Sequence, residues 1–513
     1  MSPKPKNPIR DDLYCPSCGY QGMRQKCDLA QSGRKRYVCM SCKSRTTKPS
    51  YSEVQVLPKF RVSKIRKARR FIITSAVNDT GIVEEAHKTF IKWAEENNAE
   101  YLIIPGVYKN PDLMNQGITN NFKWPEEILP YLCNADTKLG DNIIIKGETR
   151  IQYTAVNPLC GLNHAGGMDS EIYGHPQIAA EPVATPRGVD PKYLMTSGTI
   201  SKPNYGDSLK ARKAEFHHSI SALIVEVEGK NYWSRNIHFD GSGAYDLDKY
   251  YSPNSVEHSK NVAAIVYGDT HIRALTKKTE SLLDSSASLL NPKKEVFHDL
   301  HDHAIGSHHK KGKTITLLHQ SIHKQTDLRT ELMQAVDFLD KRPGCYLVDS
   351  NHHRHLDQWF ERYKPNGDDI VNLELYFELG ELLNKSIKNG GTTDLFRLFC
   401  EKYCTAININ FITPNDNFEI EGINCSQHGD RGPNGSRGSA AGFAKTGAKT
   451  MIGHSHSWRI IKGAYQVGAS VENLEYESGF STNSIASGII YNNGKRAIFT
   501  IKNNRLSPMM RVK

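Results

Sequence analysis

Five short apolar runs in the second half of the chain each end in side chains that can bind a metal ion. The runs begin at residues 262, 295, 345, 419 and 450, and each is followed by Asp, Asn or His. Short apolar runs of this length are typical of buried strands. In an α/β sheet the carboxyl ends of the strands face one crevice. The pattern therefore predicts an α/β fold whose strand ends bring distant polar side chains together.

In chain order the runs read D-x-H, D-x-x-D, N-H, H and G-H-x-H. The side chains that carry them are Asp269, His271, Asp299, Asp302, Asn351, His352, His428, His454 and His456. This order resembles the calcineurin-like metallophosphoesterases, and among them the Mre11/SbcD-type nucleases, over residues 262–500. The resemblance implies a sandwich of two mixed sheets flanked by helices. The alternative is a set of isolated histidines that end strands without sharing a site.

The resemblance also implies a site for two divalent metal ions. The first ion would be held by Asp269, His271 and His456, the second by Asn351, His428 and His454, and Asp299 would bridge them. Hard oxygens and imidazoles suit Mn²⁺, Fe or Zn²⁺, and we expect Mn²⁺. Two such ions ~3.5–4 Å apart can clamp a phosphate and generate hydroxide from a shared water. His352 resembles the family's catalytic histidine, which would stabilise the transition state or protonate the leaving oxygen.

Two motifs depart from the family pattern. His298 and His303 stand where G-D-x-x-D-R has its Gly and Arg, and Ser350 stands where G-N-H has its Gly. None of the expected metal ligands is lost, but His303 weakens the usual phosphate clamp. Asp302 could orient a ligating imidazole or cap the following turn.

Residues 1–50 carry two Cys-x-x-Cys pairs, Cys15 with Cys18 and Cys39 with Cys42, separated by 20 residues. Each pair can supply two thiolates to one tetrahedral Zn²⁺. A segment this short and polar could hardly fold without the metal. The spacing predicts a structural zinc ribbon, and a redox-active or uncoordinated set is the alternative.

The excess positive charge lies at the N-terminus. Residues 1–70 hold 18 Lys/Arg and 4 Asp/Glu, a net of +14, while the other residues have a net of −3. Such asymmetry indicates a polyanionic partner, of which DNA fits best. The candidate phosphate contacts are Lys64, Arg66, Lys67, Arg69 and Arg70, with Arg431 beside His428. A solvated basic linker is the alternative for residues 59–70.

We expect four units: a zinc ribbon over 1–50, a basic linker over 51–70, an α/β accessory domain over 71–255 and a metallophosphoesterase domain over 256–513. The accessory domain should open with a β-α-β unit whose helix covers 82–97. Further helices are predicted over 327–341, 353–363, 372–388 and 393–403. Neither a membrane span nor a secretory signal is recognisable, which predicts a cytoplasmic protein (in the host cytoplasm if it is viral).

These features together predict a Mn²⁺-dependent nuclease that hydrolyses DNA. The order of zinc ribbon, β-α-β region and phosphoesterase also looks like the early DNases of some tailed phages, which degrade host DNA. A phosphatase or nucleotide phosphodiesterase is one alternative, and a non-catalytic zinc-ribbon DNA-binding protein is another. A homo-oligomer and a separate partner protein both stay open, because the sequence does not bear on either.

Overall fold

The structure is a computed structural model with a mixed α/β fold of several sheets and helices. It describes residues 9–16, 20–30, 34–49, 68–110, 123–164, 166–259, 261–303, 326–365, 370–406, 408–472, 474 and 479–508, and the single positions 315, 318 and 322.

The N-terminal segment forms an antiparallel sheet of four strands connected as consecutive hairpins. Its strands are Ile9–Tyr14, Gln21–Leu29, Lys35–Cys39 and Arg45–Thr46. Among the described residues, its core contains Leu13, Met23, Tyr37 and two cysteines, Cys15 and Cys39. So small a core indicates that a further cross-link is needed to hold the sheet together.

A six-stranded sheet carries the first three of the five apolar runs. Its strands, in spatial order, are Asn410–Ile412, Tyr346–Val348, Lys294–Phe297, Val262–Val266, Ala486–Tyr491 and Arg496–Thr500. The first four are parallel, and the last two continue antiparallel. Two neighbouring inner strands, Val262–Val266 and Ala486–Tyr491, are buried along their whole length because both faces of the sheet are covered there.

Five helices cover one face of this sheet. They are Lys277–Leu290, Leu328–Asp340, Arg354–Arg362, Ile370–Lys388 and Leu395–Tyr403. Their apolar sides, for example Leu332 and Phe396, share a core with Ile265 and Phe297 of the sheet. The four helices predicted between residues 327 and 403 are therefore confirmed, and they pack against the sheet as core layers.

A ten-stranded sheet covers the other face. Its strands, in spatial order, are Glu419–Ile420, Ile423–Asn424, Thr450–Ile452, Ala464–Gln466, Arg459–Ile461, Ala179–Val183, Lys192–Thr196, Ser170–Tyr173, Ile143–Lys146 and Asp136–Gly140. Val266 and Val296 of the six-stranded sheet lie in one core with Met451. This sheet takes strands from both sides of residue 255, so the two stretches share a hydrophobic core.

The region after residue 67 opens with the β-α-β unit that the sequence predicts. Strands Ala68–Val77 and Glu100–Gly106 are parallel, and helix Glu84–Glu96 connects them and buries Phe90 and Trp93. The antiparallel strands Ser221–Glu228 and Asn231–His238 complete this four-stranded sheet. Because the first strand begins at Ala68, residues 68–70 of the predicted linker belong to the sheet.

The N-terminal half, residues 68–258, repeats the strand arrangement of the C-terminal half, residues 262–508. In each half a parallel pair of strands continues into an antiparallel pair, as the four- and six-stranded sheets show. Each half also supplies five strands of the ten-stranded sheet, with the same order and directions. The halves meet where Ala179–Val183 pairs antiparallel with Arg459–Ile461. This symmetry is typical of two copies of one fold related by an approximate twofold axis.

The two halves also meet between the four-stranded and the six-stranded sheets. There the amide of Ser234, in the last strand of the four-stranded sheet, donates to Oγ1 of Thr500 in the last strand of the six-stranded sheet (3.1 Å). The sequence analysis did not detect this repeat.

Several small elements connect these layers. They are the strands Thr185–Pro186, Phe480–Ser481, Ala244–Asp246, Lys249–Tyr251 and Val256–His258, the helices Leu209–Phe216 and Ala440–Phe443, and the 3₁₀ turns Glu126–Tyr131, Leu162–His164, Ile272–Ala274 and Pro433–Gly435. Among the described residues, none of the helices has both the length and the apolar character that crossing a bilayer requires.

Candidate metal centre

The polar ends of the five apolar runs lie between the six- and ten-stranded sheets. Asp269, Asp299 and Asn351 follow three neighbouring parallel strands, Val262–Val266, Lys294–Phe297 and Tyr346–Val348. His428 and His454 follow strands of the facing sheet. The carboxyl ends of the two sets of strands therefore deliver ligands to one crevice, as such sheets do.

Asp299 lies at the middle of this crevice. Its Oδ2 oxygen is 3.7 Å from Nε2 of His271, of His428 and of His352. Its Oδ1 oxygen accepts a 2.6 Å hydrogen bond from Oγ of Ser350. Oδ2 accepts no hydrogen bond from any described residue, although the side chain is buried. One oxygen is thus fixed by the protein, and the other is available to face a cation.

The first group of candidate ligands surrounds this oxygen on one side. Ligand atoms of Asp269, His271, Asp299 and His456 all lie within 4.8 Å of one another. Nε2 of His271 and Nε2 of His456 are 2.9 Å apart, and the latter is 3.3 Å from Oδ2 of Asp269. Two imidazole nitrogens that face each other with a carboxylate oxygen at this separation are arranged as ligands of a shared cation.

The second group of candidate ligands also reaches Asp299, through Nε2 of His428. Oδ1 of Asn351 is 3.1 Å from Nε2 of His428, and the rings of His428 and His454 have centroids 5.2 Å apart. The seven side chains predicted from the sequence are therefore gathered at one place.

The charge states in the crevice suit divalent cations. Burial opposes ionisation of Asp269, but His428 and His456 beside it outweigh that effect and lower its pKa. Burial lowers the pKa of His428 well below its ordinary value. An ionised Asp269 and a neutral His428 are in the forms that bind metal ions, whereas for His271 burial is outweighed by Asp302 and Asp299, which raise its pKa. Oδ2 of Asp269, like that of Asp299, accepts no hydrogen bond from the described part of the chain. Two buried anionic oxygens without donors fit a metal centre.

Four of the candidate ligands have a left-handed backbone. The φ angles are 45° for His271, 45° for Asp299, 78° for His454 and 52° for His456. Non-glycine residues in this region cost on the order of 1 kcal/mol or more each, and they cluster at functional sites. The strain lets consecutive residues turn their side chains into the crevice directly after a strand.

Asp302 and His352 lie behind the ligands. Nδ1 of His271 donates to Oδ1 of Asp302 (2.5 Å). Of the two roles considered for Asp302, this contact fits orientation of the His271 imidazole and not capping of the following turn. Nδ1 of His352 donates to the backbone carbonyl of Asp302 (2.9 Å), so its Nε2 faces Asp299. His303 is fully buried, and neither ring nitrogen hydrogen-bonds to a described residue. Burial lowers the pKa of His303 well below its ordinary value.

Three supporting contacts were missed by the sequence analysis. Ser350 positions Asp299, and Nδ1 of His298 lies 3.5 Å from Nδ1 of His428. Arg354 forms ion pairs with Asp349 and Asp430, which connects the segment after His428 to the helix after His352. Ser350 and His298 directly precede ligands in the sequence, which is the signal that could have identified them.

The described part of the N-terminal half has no equivalent ligand set. Ser75 takes the place of Asp269: its amide donates to the Gly198 carbonyl and its carbonyl accepts from Ile200, as Asp269 pairs with Gly468 and Ser470. A Cβ on Gly174 would contact Ser75 and Ile104, whereas one on Gly453 would contact Asp269 and His298. Serine and isoleucine thus replace a carboxylate and an imidazole. Among the described residues of this half, no three His, Cys, Asp or Glu side chains lie within ligand distance of one another.

Three of the four ribbon cysteines converge. Ligand atoms of Cys15, Cys39 and Cys42 lie within 4.8 Å of one another, and the Sγ atoms of Cys15 and Cys42 are 3.7 Å apart. That separation matches the edge of about 3.8 Å expected for a tetrahedron with ~2.3 Å Zn–S bonds. Cys18 lies outside the described residues.

The predicted phosphate contacts differ in their surroundings. Lys64, Arg66 and Lys67 lie outside the described residues, and Arg69 lies in the strand that starts at Ala68. Nε of Arg70 lies 3.2 Å from Glu226, and its Nη1 donates to the Asn97 carbonyl, so this guanidinium is engaged within the fold. Arg431 is 60% exposed beside the metal centre, 3.9 Å from Asp430.

Fold and site together define a mixed α/β protein with clustered side chains that could hold metal ions. The chain is similar to Protein A1 of Escherichia phage T5, with 28% identity over 472 residues, which cover 86% of this chain and 83% of that protein. No family model matches the chain, and no solved structure matches it.

Proposed function

We propose that this protein is a two-metal phosphodiesterase that hydrolyses DNA, with a calcineurin-like metallophosphoesterase fold in its C-terminal half. The observation that carries the proposal is the placement of Asp299 Oδ2, 3.7 Å from both His271 Nε2 of one ligand group and His428 Nε2 of the other. Asp269, His271 and His456 would hold one ion, and Asn351, His428 and His454 the other. When bound, two such ions polarise a phosphate and supply hydroxide near neutral pH, and Mn²⁺ suits the donor set.

The other side chains of this site position the candidate ligands and the candidate catalytic histidine. Ser350 holds Asp299 in one orientation, and Asp302 fixes the proton of His271 on Nδ1, so that Nε2 presents its lone pair. The Asp302 carbonyl does the same for His352. Nε2 of His352 faces Asp299, and from there it would stabilise the phosphate oxygens or protonate the leaving oxygen.

The N-terminal segment supports DNA as the substrate. Its net charge of +14 over residues 1–70 suits a polyanion. The three clustered cysteines suit a Zn²⁺ ribbon that presents this charge beside the catalytic half. Similarity to a phage protein fits an enzyme that degrades host DNA in the host cytoplasm. The name of that protein assigns no activity, so the similarity supports a phage origin of this chain and not its activity.

The test is hydrolysis of plasmid DNA and of bis-(p-nitrophenyl) phosphate with added Mn²⁺. We expect wild type to hydrolyse both, and Asp299→Ala and His352→Ala to lose at least about a hundredfold in rate while keeping their circular dichroism spectrum. Unchanged rates in both variants would overturn the proposal. Hydrolysis of the small ester without DNA cleavage would favour a phosphatase or nucleotide phosphodiesterase. DNA binding with neither activity would favour a non-catalytic binding protein.

A further inference from the structure

Two cavities lie at the junction of the two halves, at positions related by the approximate twofold axis. The first, of about 350 Å³, is lined by Phe216–Ser219 of the N-terminal half and by Lys449, Lys462 and Lys495–Arg496 of the C-terminal half. The second, of about 250 Å³, is lined by Arg187–Pro191 and by the segments around Ser484 and Lys502. We call them the basic cavity and the counterpart cavity. Their different charge patterns can be compared within one molecule.

Four cations line the basic cavity, and none has a carboxylate partner among the described residues. Lys449, Lys462, Lys495 and Arg496 take part in no ion pair in that part of the chain. The Nη1 group of Arg496, which is only 7% exposed, donates to the carbonyls of Thr450 and Gly463. A nearly buried guanidinium whose partners are neutral is costly without an anion.

Asp240 is the carboxylate whose charge acts on Lys495, and its oxygens already accept hydrogen bonds from other groups. Because these groups are the amides of Ser242 and Gly243, Tyr250 and Asn493, Asp240 acts on Lys495 through charge alone. Burial and the charge of Lys449 lower the pKa of Lys495. Burial and the charges of Lys495 and Arg496 lower the pKa of His238, on the cavity wall, to about 3. The positive potential in the basic cavity is therefore uncompensated.

In the counterpart cavity the positive charge of Lys502 is balanced by a carboxylate. Nζ of Lys502 lies 2.6 Å from Asp190, and Glu472 also lines the cavity. The same junction of strands thus produces one cavity with paired charges and one without. The difference lies in the side chains and not in the fold.

An aromatic ring stands at the edge of the basic cavity. Phe216 is 84% exposed at the end of helix Leu209–Phe216, and His217 contacts its edge (centroids 5.1 Å). An exposed ring beside unpaired cations is the combination by which proteins hold a base and its phosphate.

We infer that the basic cavity binds the phosphate of a nucleotide, with Lys449, Lys495 and Arg496 around the phosphate and Phe216 against the base. The nucleotide is either free or part of a polynucleotide chain. This site lies outside the metal centre, and its binding does not depend on the hydrolysis proposed above.

The test measures binding with the full chain in the Asp299→Ala background, so that no probe can be hydrolysed. The probes are a fluorescein-labelled 12-mer of single-stranded DNA, with dAMP and inorganic phosphate as competitors. We expect Lys449→Gln/Lys495→Gln to weaken binding of the 12-mer tenfold or more. The slope of log K against log salt should fall by about 0.7 per lost contact. Phe216→Ala should weaken binding of nucleotides but not of phosphate. The matched control is Lys502→Gln, which removes one cation from the counterpart cavity.

Competition by dAMP would identify a free nucleotide as a sufficient ligand, and its failure would identify the polynucleotide. Both results support the site only if the lysine variants weaken binding. Equal affinities for Lys449→Gln/Lys495→Gln and Lys502→Gln would overturn the inference, whether or not wild type hydrolyses DNA. The bis-(p-nitrophenyl) phosphate rate, measured with Asp299 intact, should be unchanged in the lysine variants, since this ester needs only the metal centre.

Discussion

Nδ1 of His271 donates a 2.5 Å hydrogen bond to Oδ1 of Asp302. The ring is fully buried, so its orientation depends on this bond more than on solvent. With its proton held on Nδ1, His271 presents the lone pair of Nε2 toward Asp299 and His456. Carboxylates that accept from ligating histidines fix the tautomer and raise the basicity of the ligand.

Substitution of Asp302 should therefore weaken metal binding without removing a ligand. For Asp302→Asn we expect roughly 10–100-fold lower affinity for Mn²⁺, because the neutral amide supports the imidazole less well. The measurement is the Mn²⁺ concentration needed for half-maximal hydrolysis of bis-(p-nitrophenyl) phosphate. Asp337→Asn, at an exposed position of helix Leu328–Asp340, is the control. Saturation at the same Mn²⁺ concentration in both variants would show that Asp302 does not position His271.

Gly453 leaves room for Asp269. A Cβ at this position would lie 2.3 Å from Oδ1 of Asp269 and 3.1 Å from Cγ of His298. We expect Gly453→Ala to displace the carboxylate and to reduce both metal content and hydrolysis by at least about tenfold. Metal content is measured by elemental analysis of the purified protein.

The control for this substitution is Gly167→Ala, where an added Cβ meets no atom within 4 Å. It should keep wild-type metal content and rate. A Gly453→Ala variant with full metal content would contradict the packing argument.

The convergence of the candidate ligands could be predicted because each of these side chains follows an apolar run. Asp269, Asp299 and Asn351 follow strands that are buried on both faces, and such strands read as continuous apolar runs. Order and spacing then placed them at one sheet edge. The role of Asp302 could not be decided, because a carboxylate beside a ligand can orient an imidazole or cap a turn. Only the direction of the His271 ring separates the two.

The internal repeat could not be predicted, because it is a property of strand order and not of residue type. Ser75 and Asp269 occupy equivalent backbone positions, yet serine has none of the metal-binding character that identified the C-terminal half. Hydrophobic alternation records which face of a strand is buried, but not which strand lies beside it. The basic cavity was missed for the same reason, since its cations come from three separate turns.

The N-terminal sheet should depend on Zn²⁺. The described part of its core has five residues, of which Cys15 and Cys39 are two, so the thiols contribute more to folding as metal ligands than as apolar groups. We expect Cys39→Ser to lose one equivalent of zinc and to make residues 1–50 sensitive to limited proteolysis. Hydrolysis of bis-(p-nitrophenyl) phosphate should be retained, because the C-terminal half shares no core residues with the N-terminal sheet among the described residues. Cys160→Ser, at an exposed free cysteine, is the control. Equal zinc content and protease resistance in the two variants would exclude a zinc site at Cys39.

Asp357 should make the stability of the C-terminal half depend on pH. Burial, with a smaller contribution from the charge of Asp394, raises the pKa of Asp357 to about 7, although the amide of Leu395 donates to its Oδ1 (3.1 Å). An unfolded chain has an aspartate pKa of about 3.9. Between about pH 4 and 7 the folded protein therefore holds a proton that the unfolded chain has released, so stability falls as pH rises through this window.

Replacing the carboxyl by a neutral amide should remove this dependence. Asp357→Asn keeps an acceptor for Leu395 and cannot ionise. Its melting temperature should equal that of wild type near pH 4 and exceed it at pH 8. The side chain is partly exposed, so we expect on the order of 1–2 kcal/mol rather than the ~4 kcal/mol of the full shift. That corresponds to about 1–3 °C in a chain of this size. Asp337→Asn should show no such change with pH. A constant difference between Asp357→Asn and wild type from pH 4 to pH 8 would mean that burial does not raise the pKa of Asp357.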